Sequence, residues 1–274
     1  MKILNLSNKL LSITIILLLS ISYLTTAYKP DELINNSEKN STIIIPRQQQ
    51  WNHTYGGIFS DGLSHGQQTS DNGYILTGFT YSYSKGKEDI WIVKTNEHGE
   101  EIWNASFGSI SHDEGLSVIE TTDLGFIIVG KTYSQNTQST DAWIIKTDNM
   151  GNMMWNITFG GSDIDIGRDV QEIENGDLIV TGITKAFDKT GCFLLRINQN
   201  GTVLWNKTYM EKFQYNLMNV FQVKQTYDQG FLLAGQVHSV QHGSDGFLLK
   251  TDETGEIKWL HTYGGGNTDF FKSF

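Results

Sequence analysis

Asp141-Ala-Trp-Ile-Ile-Lys-Thr-Asp-Asn-Met-Gly-Asn-Met-Met-Trp-Asn-Ile-Thr-Phe-Gly-Gly161 reads as two strands joined by a tight turn, and both halves return along the chain. The first half reappears as Asp89-Ile-Trp-Ile-Val-Lys-Thr95, Gly191-Cys-Phe-Leu-Leu-Arg-Ile197 and Asp245-Gly-Phe-Leu-Leu-Lys-Thr251. The second half opens on Trp51, Trp103, Trp155, Trp205 and Trp259, at steps of 52, 52, 50 and 54 residues. A third phrase keeps the same period: Asp71-Asn-Gly-Tyr-Ile-Leu-Thr-Gly78, Asp123-Leu-Gly-Phe-Ile-Ile-Val-Gly130, Glu174-Asn-Gly-Asp-Leu-Ile-Val-Thr-Gly182 and Asp228-Gln-Gly-Phe-Leu-Leu-Ala-Gly235. Three phrases locked to one period mark a repeat architecture with one supersecondary unit per repeat.

Each unit resolves into four short strands. Strand a is exemplified by residues 115–120, strand b by 126–130, strand c by 142–147 and strand d by 153–159. Asp148-Asn-Met-Gly-Asn152 and Asn198-Gln-Asn-Gly-Thr202 are hairpin turns in which Gly or Asn takes the positive φ. Strands b and c are near-continuous apolar runs, so both their faces should be covered, as in a sheet packed between two like sheets. Four antiparallel strands per repeat, stacked sheet on sheet, describe the blades of an all-β propeller. The expected blades are residues 58–107, 108–159, 160–209 and 210–263, with a fifth beginning at 264–274. The aromatic series Trp91, Trp143, Phe193 and Phe247, with the strand-d Trp residues, is expected to fill the space between blades. The strand-c Asp should fix a turn by accepting from backbone N–H. With partial strands at both ends, the chain is expected to be a fragment of a larger propeller. Its open blade edges would then favour self-association.

The body of the chain spans residues 51–274. Ahead of it, Lys2 and Lys9 precede an uncharged apolar stretch that exits through Thr25-Thr26-Ala27, so residues 1–27 read as a signal peptide or membrane anchor. Residues 28–50 read as a flexible polar spacer. Both readings of the N-terminus place the body outside the cell or on its surface. The formal charge is −10, and losing Lys2 and Lys9 with no acid makes it −12. Such a body excludes nucleic acid and leaves contact with membrane to the N-terminal segment. Cys192 is the only cysteine, so no intramolecular disulfide forms.

Candidate chemistry is sparse. Gly62-Leu-Ser64-His-Gly66 spells a hydrolase elbow, but that motif needs a strand-to-helix turn, and this stretch falls in strand a. Asp163, Asp165 and Asp169 alternate around Gly167 and form a weak candidate Ca²⁺ set. His238-Ser-Val-Gln-His242 has helical metal spacing inside a loop of a β protein, where that geometry is lost. Asn52, Asn104, Asn156 and Asn206 each head a glycosylation sequon directly after the strand-d Trp, as Asn35, Asn40 and Asn200 do elsewhere. Alternation along a strand places the first four opposite the Trp, on an exposed edge. No catalytic residue and no cofactor site emerges.

The repeat resembles a family of extracytoplasmic β-propeller repeats of archaeal and bacterial surface proteins, whose pattern is Asp-Gly-Gly-Tyr-Ile, Gly-x-Thr, Asp-x-Trp-Leu-Ile-Lys-Thr-Asp and Trp-x-x-Thr-Tyr-Gly-Gly. The likeness covers residues 51–274. It implies an exported, non-catalytic scaffold for binding or adhesion, with an extracellular protein or glycan as partner. A carbohydrate-active or quinoprotein-like propeller enzyme and a structural spacer of a larger surface protein are the alternatives. Two places depart from the pattern: Gly191-Cys192 stands where Asp-x is expected, and Gly-Gly is missing after Tyr209, where the entry to the fourth unit is longer.

Overall fold

The computed structural model describes residues 51–135, 138–186, 189–209, 217–239 and 243–265, together with Asp269 and Phe271. The N-terminal signal or anchor, the polar spacer, Asn35, Asn40, His242 and most of the fifth unit lie outside the described residues. Among those residues every regular element is a strand, and no helix is long and apolar enough to cross a membrane.

Sixteen strands form four four-stranded antiparallel sheets in chain order. The first holds β1 (Asp61–Gln68), β2 (Tyr74–Thr80), β3 (Asp89–Thr95) and β4 (Glu101–Phe107), and the second β5 (Asp113–Glu120), β6 (Phe126–Ser134), β7 (Ser139–Thr147) and β8 (Met153–Phe159). The third holds β9 (Asp165–Glu172), β10 (Leu178–Ala186), β11 (Lys189–Ile197) and β12 (Val203–Tyr209), and the fourth β13 (Leu217–Gln225), β14 (Phe231–Ser239), β15 (Gly243–Thr251) and β16 (Ile257–Tyr263). One parallel pair, Thr190 with Leu217, links the third sheet to the fourth. Each first strand packs on the sheet before it: β5 on β1, β2 and β3, β9 on β5, β6 and β7, and β13 on β9, β10 and β11. The arrangement is β-propeller-like.

Apolar alternation explains the stacking. Ile90 and Ile92 of the first sheet meet Val118, Phe126, Ile128 and Ile145 of the second. Ile144 and Ala142 point the other way, into a core with Val170, Val180 and Phe193 of the third. Trp91, Phe193 and Phe247 are fully buried, and each such side chain contributes about 1.5–3 kcal/mol. Trp143 departs from the expectation of complete burial. It is half-buried, because its indole reaches the sheet edge and donates to Asn156 Oδ1 at 3.0 Å.

Trp103, Trp155 and Trp205 of the strand-d series are also half-buried, and each lies on the hairpin turn of the following sheet, whereas Trp259 is exposed. A Cβ on Gly151 would stand 2.8 Å from Trp103, and one on Gly201 would stand 2.9 Å from Trp155. Those two glycines carry φ of 81° and 82°, the left-handed conformation their turns require. Trp155 also donates to Gln199 O at 3.0 Å, and Tyr209 Oη donates to Gly255 O at 2.7 Å. Trp51 and Tyr55, ahead of the first sheet, repeat the contact on Gly99.

Two of the repeated phrases meet within each sheet. Lys94, Lys146 and Lys250 reach Asp71, Asp123 and Asp228 at 2.8, 2.7 and 2.9 Å, and Arg196 reaches Asp177 at 2.8 Å. The strand-c cation thus pins the a–b turn of its own sheet. The bond from Lys94 holds the Asp71 carboxyl down at about 2.

Candidate functional site

The four first strands converge on a groove of about 430 Å³ lined by His65, Gln67, Glu120, Asp169, Gln171 and Lys224 among others. A β-bulge in every first strand shapes it, with the register slipping at Leu63/His65, Gly115/Ser117, Gly167/Asp169 and Val220/Gln222. Bulges re-aim the side chains that follow them. Ser64 is the extra residue of the first bulge, inside β1 and with no helix after it, so the hydrolase spelling has no elbow geometry.

Polar side chains of one sheet accept amides of another across this groove. His65 Nδ1 accepts from Val118 N at 3.2 Å and Gln67 Oε1 from Glu120 N at 2.9 Å. Asp169 Oδ2 accepts from Val223 N at 2.9 Å and Gln171 Oε1 from Gln225 N at 2.7 Å. With both Oε1 atoms committed, Gln67 and Gln171 offer the groove their Nε2–H donors. Burial pushes the Asp169 carboxyl upward, against its bonds to Val223 N and Ser117 Oγ and the nearby His65. At the rim, Glu120 accepts from Ser70 N at 2.7 Å, and Glu172 accepts from Thr122 N at 2.8 Å, each latching the a–b turn of the previous sheet.

A second concavity of about 470 Å³ continues from Gln171 and Glu172 to Gln225, Gln229 and Tyr227. Tyr227 is fully exposed, an aromatic ring standing free beside an amide-rich wall. Of these groove residues the sequence singled out Asp169 alone, and that as a member of the Ca²⁺ set rather than of a groove. Their shared signal is position: they follow the bulge in each first strand.

Asp163, Asp165 and Asp169 are not brought together as a set. Asp163 is in the loop before β9, Asp165 accepts from Gly161 N at 3.0 Å between sheets, and Asp169 lies in the groove. The bulge between Gly167 and Asp169 breaks the alternation that would have put them on one face. Among the described residues no three His, Cys, Asp or Glu side chains gather in a metal-ligating group. His238 donates to or accepts from Ser244 Oγ at 3.0 Å. Asn52, Asn104, Asn156 and Asn206 are all exposed. Asn104 and Asn156 each accept from a strand-c indole, Trp91 at 3.3 Å and Trp143 at 3.0 Å, which gives those two a structural task besides any glycan. Cys192 is buried, and that burial raises its thiol to about 12.

No family model and no curated protein matches the chain. Solved structures similar to it include a protein of unknown function from Bacteroides caccae, at 12% identity and a TM-score of 0.31, covering 73% of this chain and 81% of that one. Another is described as the eukaryotic initiation factor, at 12% identity and a TM-score of 0.37. That alignment covers 75% of this chain, which spans 56% of the other.

Proposed function

We propose that the four sheets are blades of a β-propeller, exported by the N-terminal segment, that acts without catalysis as a glycan-binding scaffold at the cell surface. The observation that carries this reading is the exposed Tyr227 ring at the mouth of an amide-lined groove. Sugars present an apolar ring face and a fringe of hydroxyls. An aromatic platform takes the first, and the Gln and carboxylate groups around it take the second. The net charge of −10 directs the preference toward neutral or amino sugars over sulfated or uronic ones.

A glycan array probed with the purified full chain tests the reading. Binding to neutral or amino glycans should fall at least tenfold in Tyr227→Ala, with unfolding temperature unchanged because the ring packs on nothing. Failure of every glycan to bind, or full binding by the variant, would remove the proposal and favour a protein partner or a spacer role.

A further inference from the structure

Two carboxylates meet at the first junction between sheets and again at the second, where Asp165 is buried and Asp141 half-buried. At the first, Asp89 of β3 faces Asp113 of β5, whose amide bonds to Glu88 O at 2.8 Å. Both residues are wholly buried. One oxygen of each is held by a backbone amide: Asp89 Oδ2 by Lys85 N at 3.1 Å, and Asp113 Oδ2 by Ser109 N at 2.8 Å. The other oxygen of each, Oδ1, is buried with no hydrogen-bond partner. At the second junction, the point where a Cβ on Gly160 would stand is 2.2 Å from Asp141 Oδ1 and 2.8 Å from Asp165 Oδ2. There too Asp141 Oδ1 is buried and unpartnered. The two glycines concerned, Gly108 and Gly160, leave open the space a side chain would close.

Backbone N–H bonds favour the ionised carboxylate, while burial beside a second carboxylate opposes it. Burial, then the neighbouring acid, pushes Asp89 and Asp141 upward. Asp61 shows the same strand-a acid satisfied by protein alone. It accepts from Gly57 N, Ser82 N, Ser82 Oγ and Thr80 Oγ1, so neither oxygen is left over. The third junction supplies the complementary case. Register places Gly191 opposite Thr184 and Met218 opposite Val237, the positions of Asp141 and Asp165 in the preceding junction. Both acids are absent there together, as a shared task would require.

We propose that Asp89 with Asp113, and Asp141 with Asp165, are two inter-sheet Ca²⁺ sites. Hard carboxylate oxygens without His or Cys suit an alkaline-earth ion over zinc. The burial of the orphan oxygens selects Ca²⁺ over Mg²⁺, which sheds its water reluctantly. The ion supplies the missing partner for each orphan oxygen and ties strand c of one sheet to strand a of the next. Asp245, with its own buried unpartnered Oδ1, repeats the strand-c half, and Asp269 lies near it across Gly264.

The test uses the full chain stripped with EGTA. Calorimetric titration with CaCl₂ should show saturable binding, and the unfolding temperature should rise with the logarithm of the Ca²⁺ concentration once that exceeds Kd. Asp89→Asn with Asp113→Asn should bind one ion fewer per chain. Tb³⁺, replaceable by Ca²⁺, should luminesce through Trp91 in the unmodified chain, which decides the matter even where the variant fails to fold. Absence of both heat and Tb³⁺ emission would overturn the proposal, as would undiminished binding by the folded variant. An equal response to Mg²⁺ would overturn the choice of ion.

Discussion

Between the second and third sheets, Asp141 and Asp165 face each other across Gly160. Between the third and fourth, Gly191 and Met218 hold the same two register positions, and the buried Cys192 Sγ lies 3.7 Å from Met218 Sδ. Tyr209, buried at this junction, completes an apolar seam with Val220 and Val237. One backbone arrangement therefore tolerates two opposite chemistries, provided both halves change together. Two departures that look unrelated along the chain, at Gly191 and at the entry to the fourth unit, are the two sides of one contact.

The largest expected effect comes from mixing the two solutions. Met218→Asp puts one carboxylate opposite Gly191 and beside Cys192 with no partner. We expect a loss of about 3–5 kcal/mol in urea unfolding, the range for an uncompensated buried charge. A loss below about 1 kcal/mol would mean that the seam is open to water. Moving the third junction into the second, with Asp141→Gly and Asp165→Met, should behave differently. Replacing a buried charged pair by apolar groups is often neutral or stabilising by about 1–4 kcal/mol. In EGTA the double variant should therefore be no less stable than the parent by more than about 1 kcal/mol, and it should lose one Ca²⁺-dependent step. A large loss would show that the pair is structurally indispensable without an ion.

A smaller effect separates these buried acids from the exposed one at Asp71. Its carboxyl is held at about 2, first by the bond from Lys94. A depressed folded value means that the stabilisation is complete above the ordinary carboxylate range and disappears as pH falls through about 2. Asp71 is 57% exposed, so solvent screening keeps the contribution below about 1 kcal/mol. Lys94→Met should flatten the stability profile between pH 5 and about 2, read by thermal unfolding. An unchanged slope would assign the acid sensitivity to other carboxylates.

The repeat, the four strands per unit and the burial of both faces of strands b and c were readable because they follow from local pattern: apolar runs, Gly turns and a constant period. The groove was not. Its positions carry His65, Ser117, Asp169 and Gln222 in successive repeats, so no phrase recurs to mark them. The acid pairs were visible only as single residues. Their meaning depends on strand c of one sheet meeting strand a of the next, a contact that only stacking creates. The Ca²⁺ set sought along β9 failed for a related reason: alternation assumes an unbroken pleat, and the bulge after Gly167 breaks it.

The smallest effect is chemical. Native Cys192 should resist alkylation at pH 8, since its thiol is buried and raised to about 12, and should react fully in denaturant. Rapid native modification would show that the third junction opens more readily than the acidic ones.

The hydrogen bonds and Trp–Gly contacts described between sheets, from Trp103 on Gly151 to Tyr209 on Gly255, each join adjacent repeats. Coupling of that kind is nearest-neighbour, as in a one-dimensional lattice. Each sheet then needs only its predecessor as a template, so the fold can grow vectorially from a chain emerging N-terminus first. Duplication of the second repeat during evolution would set Asp141 against Asp113 and restore the same kind of link at the new boundary, so copy number can drift wherever the two facing halves match.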